Sequence, residues 1–356
     1  MTSNQKATLL LAATLLTLLG SFFIPPVAQS LAFHRFADTR PFWGIPNFGN
    51  VASNLPFLII GLYGLVLVAR SPVPGVIRAI YVLLFFGVVL TGLGSAYYHW
   101  HPDNDTLVWD RIPMTIVFMS FLSATVADLV SRRLGGRLLV PLVLVGVGSV
   151  LWWQYTETIG KGDLRLYGWV QFYPMLAIPL LLWLYYRPAV RTIMPSLIWI
   201  VVWYLIAKGL EAADYPIYGA IGVSGHSLKH LAAAVSTWYF VQLFQVSYLR
   251  GEGGYAPDIR EKIKTDFGEK AAHILEILDE AIAKTDYLST PRIIRCILFL
   301  ADGNMDKLKK MIVNAQHDTR DVLLWAEYEQ IGEPFHPKRI RDFNKTFDEC
   351  EIDVNE

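Results

Sequence analysis

The 356-residue sequence is poor in charged residues and in cysteine. Only 17% of its residues are charged, whereas 53% are hydrophobic and the mean hydropathy is +0.37. Ordinary soluble domains carry about 25% charged residues, so an ordinary soluble domain of this size is excluded. Cys296 and Cys350 are too few and too isolated for a disulfide framework or a thiolate metal site, and we expect reduced thiols. These scarcities favour a polytopic membrane protein.

The few charges divide the chain into two parts. The net charge is zero, but the residues up to Arg250 include 16 basic and 9 acidic ones, and the rest include 15 basic and 22 acidic ones. The stretch GEGGY at 251–255 predicts a flexible hinge, and amphipathic helical spacing follows it from Pro257 onward. Shorter helices are expected to the end of the chain, including RDVLLWAEYEQIG and PKRIRDFNKTF. We predict a small soluble helical domain over residues 251–356.

Before the hinge, eight segments are long and apolar enough to cross a bilayer, which takes about 20 residues per helix. They are residues 7–24, 52–69, 78–98, 113–131, 138–154, 167–185, 193–211 and 226–248. Each should be helical, because hydrocarbon offers no water to satisfy backbone groups. The predicted fold class is therefore all-α: a polytopic membrane protein with a seven-helix core over residues 33–250 and an extra hydrophobic helix within residues 1–32.

Basic residues in the short loops predict the orientation. They fall in alternate connections, and basic residues concentrate on the cytoplasmic side. They are Arg70, Arg78, Arg132, Arg133, Arg137, Arg187, Arg191 and Arg250. Both termini should therefore lie inside, with residues 25–50, 95–112, 155–166 and 212–225 outside. The first segment fits either a membrane anchor or a cleaved signal peptide, and neither choice changes the predicted core.

Polar residues gather at the predicted outer ends of two helices. Ser95 and His99 are four residues apart, as are His226 and His230, so each pair shares one helical face. Asp110 lies at the start of the next helix. Three histidines and an aspartate thus meet at one depth, and three imidazoles with an open fourth position form a known catalytic zinc site.

Each of these residues also has a purely structural interpretation. A single histidine at a helix end can be a polar residue satisfied near the lipid headgroups, and Ser95 can pack as a small residue between helices. Ionisable groups within membrane segments are costly and tend to mark function, which favours the joint metal site. His101, Asp103 and Asp105 are interpreted as surface residues of the loop.

The order of these motifs resembles the alkaline ceramidase family. That family belongs to a wider group of seven-helix membrane hydrolases that includes the adiponectin receptors. The resemblance rests on Ser95 and His99, on Asp110, on the late pair His226-SLK-His230, and on FGNVASNLPF at 48–57. It covers residues 33–250 and does not reach the tail.

The resemblance implies a zinc ion held by His99, His226 and His230, the same ligands that the spacing indicates. It implies that Asp110 accepts a hydrogen bond from the attacking water and acts as general base. It also implies that Ser95 donates to the oxyanion of the tetrahedral intermediate.

Other positions depart from the family or have two interpretations. The family is expected to carry an acidic calcium-binding cluster before the first core helix. Here Asp38 is the only carboxylate in that region and Asn47 replaces a glutamate, so a calcium site is doubtful. Lys208, Glu211 and Asp214 could pair with one another or support a zinc-bound histidine.

The predicted function is that of a membrane-embedded zinc amide hydrolase that splits ceramide or a related lipid amide into a long-chain base and a fatty acid. Its site would face outward from a bacterial inner membrane, with the C-terminus in the cytoplasm. The expected partners are a ceramide-like lipid, the membrane and a protein that binds the tail, but no nucleic acid. Two alternatives stay open: a sensor with a structural zinc that signals through the tail, and a metal-free transporter.

Overall fold

The computed structural model describes residues 1–71, 73, 75–186, 188–249, 255–331 and 336–352. The chain divides into two compact units. One comprises Met1–Tyr186 and Ile193–Gln245, and the other comprises Arg187–Thr192 and Val246–Glu356. Four residues of the predicted hinge, and two of the arginines used for the orientation, lie outside the described residues.

The first unit is a helical bundle. Its helices are α1 Ser3–Ser21, α2 Phe48–Ala52, α3 Leu55–Arg70, α4 Gly75–Trp100, α5 Asn104–Leu129, α6 Arg132–Thr158, α7 Arg165–Leu184, α8 Met194–Ala212, α9 Asp214–Ile221 and α10 Gly225–Tyr248. A short 3-10 helix, Leu31–His34, lies in the loop after α1.

Each of the eight predicted apolar segments is a long helix of this bundle, namely α1, α3 to α8 and α10. Of the described helices, six are long and apolar enough to cross a membrane, and α1 and α10 are not among them. The all-α membrane fold is confirmed. Helix α1 packs against α7, where the Thr14 Oγ1 and Tyr173 hydroxyl atoms are 2.6 Å apart.

Helix α5 begins nine residues before the predicted segment starts. Its first residue is Asn104, because Asp103 caps the helix. The Asp103 carboxylate accepts from the Thr106 backbone N–H at 2.7 Å, and the Thr106 hydroxyl accepts from the Asp103 N–H in a reciprocal capping box. Asp110 therefore lies in the second turn of an established helix, so its position is fixed by helical geometry.

Glycines bring α4 close to its neighbours. A Cβ at Gly94 would lie 1.9 Å from the Trp109 carbonyl oxygen of α5, and one at Gly61 would lie 2.8 Å from the Val89 backbone nitrogen. Small residues permit such close backbone approach in membrane bundles. The Gly94 contact is next to Ser95 on one side and to Asp110 on the other, so it sets the spacing between these two residues.

We expect Gly94→Ala to lower the free energy of unfolding by about 1–3 kcal/mol, because the new methyl group meets a backbone atom that cannot turn away. Thermal unfolding in detergent measures the change. Gly148→Ala in α6 is the matched control, since nothing lies within 4 Å of a Cβ there and alanine favours a helix. Equal melting temperatures for the two variants would contradict the close packing.

The second unit has its own hydrophobic core. Its described elements are a 3-10 helix Pro188–Thr192, α11 Pro257–Phe267, a 3-10 helix Gly268–Lys270, α12 Ala271–Lys284, a 3-10 helix Asp286–Ser289, α13 Pro291–Ala301, α14 Met305–His317, α15 Thr319–Glu327, β1 Tyr328–Ile331 and β2 His336–Arg339. Apolar side chains from successive helices meet in this core, among them Ile259, Ile274, Ile297, Leu308 and Val322. Cys296 and Cys350 are free and buried there.

The prediction of helices to the chain end was wrong. Helix α15 stops at Glu327, and the following residues form the antiparallel pair β1–β2, with Tyr328 opposite Arg339. The buried Glu327 carboxylate explains the stop, since it accepts hydrogen bonds from Arg292, Arg339 and the Phe343 backbone N–H. These contacts hold the chain that follows α15 beside this helix, and a local sequence pattern cannot predict them.

Candidate metal centre and active site

His99, His226 and His230 form one compact cluster. The ring centroids of His99 lie 4.8 Å from those of His226 and of His230, and the last two are 5.1 Å apart. Each ring offers a nitrogen, and these nitrogens all lie within 4.8 Å of one another. The three side chains are buried. The i, i+4 spacing on α10 therefore places two imidazoles opposite the one at the end of α4.

Hydrogen bonds orient the His230 ring. Its Nδ1 is 2.8 Å from the Ser53 hydroxyl, and that hydroxyl itself donates to the Asn50 carbonyl at 3.1 Å. With the Ser53 proton directed at Asn50, Nδ1 of His230 can donate to the Ser53 oxygen. Nε2 then keeps a free lone pair, which is the form a metal ligand needs. This Nε2 faces Nε2 of His99 at 3.2 Å.

Asp214 positions the start of α10. One carboxylate oxygen accepts from the His226 backbone N–H at 3.0 Å and from the Ser224 hydroxyl. The other accepts from the Ala37 backbone N–H at 2.9 Å, which ties the loop before α2 to the same helix end. Orphan N–H groups at a helix start are commonly satisfied in this way. Asp214 thus supports His226 by accepting a hydrogen bond from the backbone N–H of that histidine.

The loop between α1 and α2 covers the histidines. Phe36 is buried, with its ring 4.7 Å from that of His99 and 4.8 Å from that of His226, measured between centroids. Asn47 donates to the His99 carbonyl at 2.9 Å. Asp38, the other residue considered for calcium, forms an ion pair with Arg40 at 2.7 Å. The partner of Asp38 thus lies in the same loop, and that of Asn47 lies in α4.

Ser95 and Asp110 lie together on the wall of a cavity beside the cluster. The Ser95 hydroxyl is within reach of the Asp110 carboxylate. The cavity has a volume of about 180 Å³ and is lined by both polar and apolar residues. Among its lining residues are Ser95, Asp110, Arg111, Tyr204, Lys208, Glu211, Lys229, His230, Phe57, Val88, Val117, Phe118 and Phe240.

Lys208 and Glu211 form an ion pair at 2.7 Å, one of the two roles considered for them. The same carboxylate also binds Lys229 at 2.7 Å. Asp214 does not join this cluster and bonds to Ser224, His226 and Ala37 instead. The histidine-supporting role therefore falls to Asp214 alone of the three.

The donor set suits zinc. Neighbouring ligands of a tetrahedral zinc ion with bonds of 2.0–2.1 Å lie about 3.3 Å apart, and the His99 and His230 nitrogens are 3.2 Å apart. His226 Nε2 is buried with no hydrogen-bond partner among the described residues. Buried polar atoms without partners are rare, and a metal ligand is one explanation. Neutral imidazoles are common zinc ligands.

We expect Ser53→Ala to weaken zinc binding about tenfold, at the lower end of the effect of losing a partner that orients a ligand. Competition with a chelator of known affinity measures it. Ser149→Ala is the matched control, because Ser149 is buried and donates to the Gly146 carbonyl of its own helix. Equal zinc affinities in the two variants would contradict the assigned role of Ser53.

The sequence prediction missed Asn50, Ser53 and Phe36. The first two are part of FGNVASNLPF, where polar residues recur at intervals of three and four in an apolar segment. That spacing was a usable signal for a polar face directed at the site. Phe36 carried no such signal, since its role depends on how the loop folds back.

The profile of the ceramidase family matches residues 44–263, which include all five candidate residues. The chain belongs to the ceramidase family. Membership supports a hydrolase that acts on amides, with a lipid substrate in a membrane. No curated protein matches the chain.

Proposed function

We propose that this chain is a zinc-dependent hydrolase that cleaves the N-acyl bond of ceramide or a related lipid amide. The products would be a long-chain base and a fatty acid. The observation that carries the proposal is the convergence of His99, His226 and His230 beside a cavity whose wall holds Ser95 and Asp110. The family match covers all of these residues.

The proposed roles follow from what each side chain can do. A zinc ion in such a site supplies Lewis-acid chemistry and makes water a better nucleophile at neutral pH. Asp110 takes a proton from the attacking water and returns it to the leaving amine. Ser95 donates a hydrogen bond to the oxygen that gains negative charge, a type of contact worth roughly 3 kcal/mol. Apolar residues such as Val117 and Phe240 accommodate the acyl chain.

The proposal is tested with purified protein and an N-acyl sphingosine in detergent micelles. We expect fatty acid and long-chain base to appear in equal amounts, chelation to stop the release, and added zinc to restore it. Release that survives complete removal of metal would overturn the zinc role. Absence of release from every lipid amide tried, with metal bound, would overturn the hydrolase.

The sensor alternative has one supporting observation, the separate C-terminal unit with its own core. If the chain is a hydrolase, Asp110→Ala should abolish hydrolysis and retain the bound zinc. If the chain is a sensor, its function should tolerate the same change. A protein partner for the C-terminal unit remains part of the proposal.

We also propose that the histidine end of the bundle faces outward from a bacterial inner membrane and that the C-terminus is cytoplasmic. The alternation of basic residues between loops supports this orientation. The Lys161→Cys variant carries a cysteine in the exposed α6–α7 loop. We expect this cysteine to react with a membrane-impermeant thiol reagent in intact cells. Reaction only after lysis would reverse the orientation.

A further inference from the structure

The charged residues of the cavity do not balance. Five of its lining residues carry charge: Asp110, Arg111, Lys208, Glu211 and Lys229. Three are cations and two are carboxylates, so the walls carry one excess positive charge. Ceramide is neutral and offers nothing to balance it. Charges inside a largely apolar space interact strongly because little water screens them.

Two of the cations share a single carboxylate. Lys208 and Lys229 each place Nζ 2.7 Å from one oxygen of Glu211. An ammonium group has three N–H donors, so both lysines keep donors for another acceptor. Their side chains are 36% and 18% exposed, so neither is sealed within the protein.

The third cation has no carboxylate partner. Arg111 is 5% exposed, and in the described part of the chain no carboxylate lies within ion-pair distance of it. One guanidinium nitrogen, Nη2, donates to the Gln29 side chain. The other, Nη1, is buried and has no hydrogen-bond partner among the described residues. The faces of Trp153 and Tyr167 hold the group, with centroids 4.1 and 4.5 Å away. A buried cation without a carboxylate partner strengthens the attraction of an anion to this cavity.

We propose that Lys208 and Lys229, aided by the positive field of Arg111, form an anion subsite that binds the carboxylate of an acyl lipid. The carboxylate has two sources: the head group of an N-acyl amino acid, or the fatty acid that hydrolysis releases. With the first source, N-acyl amino acids become the substrate class of the proposed hydrolase. That part of the proposal rests on the proposed function. Carboxylate binding itself requires no turnover.

The test measures binding by full-length protein in nanodiscs, with Ser95→Ala in every arm to slow turnover, because this change leaves the charges of the cavity wall unaltered. The probes are N-palmitoylglycine, palmitate and the neutral N-palmitoylethanolamine. We expect at least one anionic lipid to bind about tenfold more tightly than the neutral one, since hydrogen bonds between ions are the strong ones. The tighter of the two anionic lipids identifies the source. Equal affinities for all three probes would overturn the subsite.

Two further variants have opposite expected effects on the preference for anionic lipids, which distinguishes an effect of charge from misfolding. Lys208→Met should reduce the anionic preference about tenfold, whereas Glu211→Gln should increase it, because it frees both ammonium groups. Lys161→Met, in an exposed loop, is the matched control and should leave the preference unchanged. A preference that survives Lys208→Met and is not raised by Glu211→Gln would overturn the assignment. A lack of hydrolysis in the ceramide assay does not affect this result, so the two failures are distinguishable.

Discussion

Asp110→Asn should lower the rate of lipid amide hydrolysis by roughly 10²–10⁴-fold, the usual contribution of a general acid–base group. Asparagine keeps the shape of the side chain but cannot take up the proton of the attacking water. Asp110 is on the cavity wall beside Ser95, and the candidate metal-binding group consists of the three histidines without Asp110. Bound zinc should therefore stay at the wild-type level. Fatty-acid release and elemental analysis on the same preparation measure both quantities.

The matched control is Asp105→Asn, in the same helix. Asp105 is exposed in the first turn of α5 and should affect neither quantity by more than about twofold, because surface substitutions usually cost no more than about 0.5 kcal/mol. A rate near wild type in Asp110→Asn would exclude this residue as the base. Loss of zinc together with activity would instead give Asp110 a role in holding the metal centre.

Alanine at His99, His226 or His230 should remove bound zinc, from about one ion per chain to a small fraction of that, and should abolish hydrolysis. Each change removes one of the three proposed protein ligands, and we expect a zinc ion held by only two imidazoles to be lost during purification. Zinc content after gel filtration measures the loss. The other two histidines need not move for zinc to be lost.

His101→Ala is the control for the histidine variants, since His101 is exposed in the α4–α5 connection only two residues from His99. Its zinc content should equal that of the wild type. A histidine variant of the cluster that keeps full zinc would show that its ring does not bind the ion. Loss of zinc in His101→Ala would relocate the centre toward the loop.

The helices could be predicted from the sequence because each is an apolar run of membrane length, and only a helix satisfies its backbone in hydrocarbon. All eight predicted segments became helices. The grouping of the three histidines could be predicted for a related reason: on α10 the spacing of His226 and His230 places both on one face of the helix, whatever the rest of the fold. Tertiary structure had only to bring the end of α4 opposite that face.

What could not be predicted depends on contacts between distant residues. Ser53 meets His230 across 177 positions, and Asp214 meets Ala37 across the same separation. The β1–β2 pair replaced the end of one predicted helix and the start of the next, because the buried carboxylate of Glu327 binds groups from three other positions. Long-range partners of this kind override local propensity.

The three-histidine centre is tested most directly by diffraction from crystals of the purified protein, with anomalous differences collected on both sides of the zinc absorption edge. We expect one anomalous peak about 2.0–2.1 Å from a nitrogen of each of His99, His226 and His230. A zinc peak elsewhere in the protein, or none among these rings when elemental analysis finds zinc, would contradict the metal centre and the hydrolase built on it.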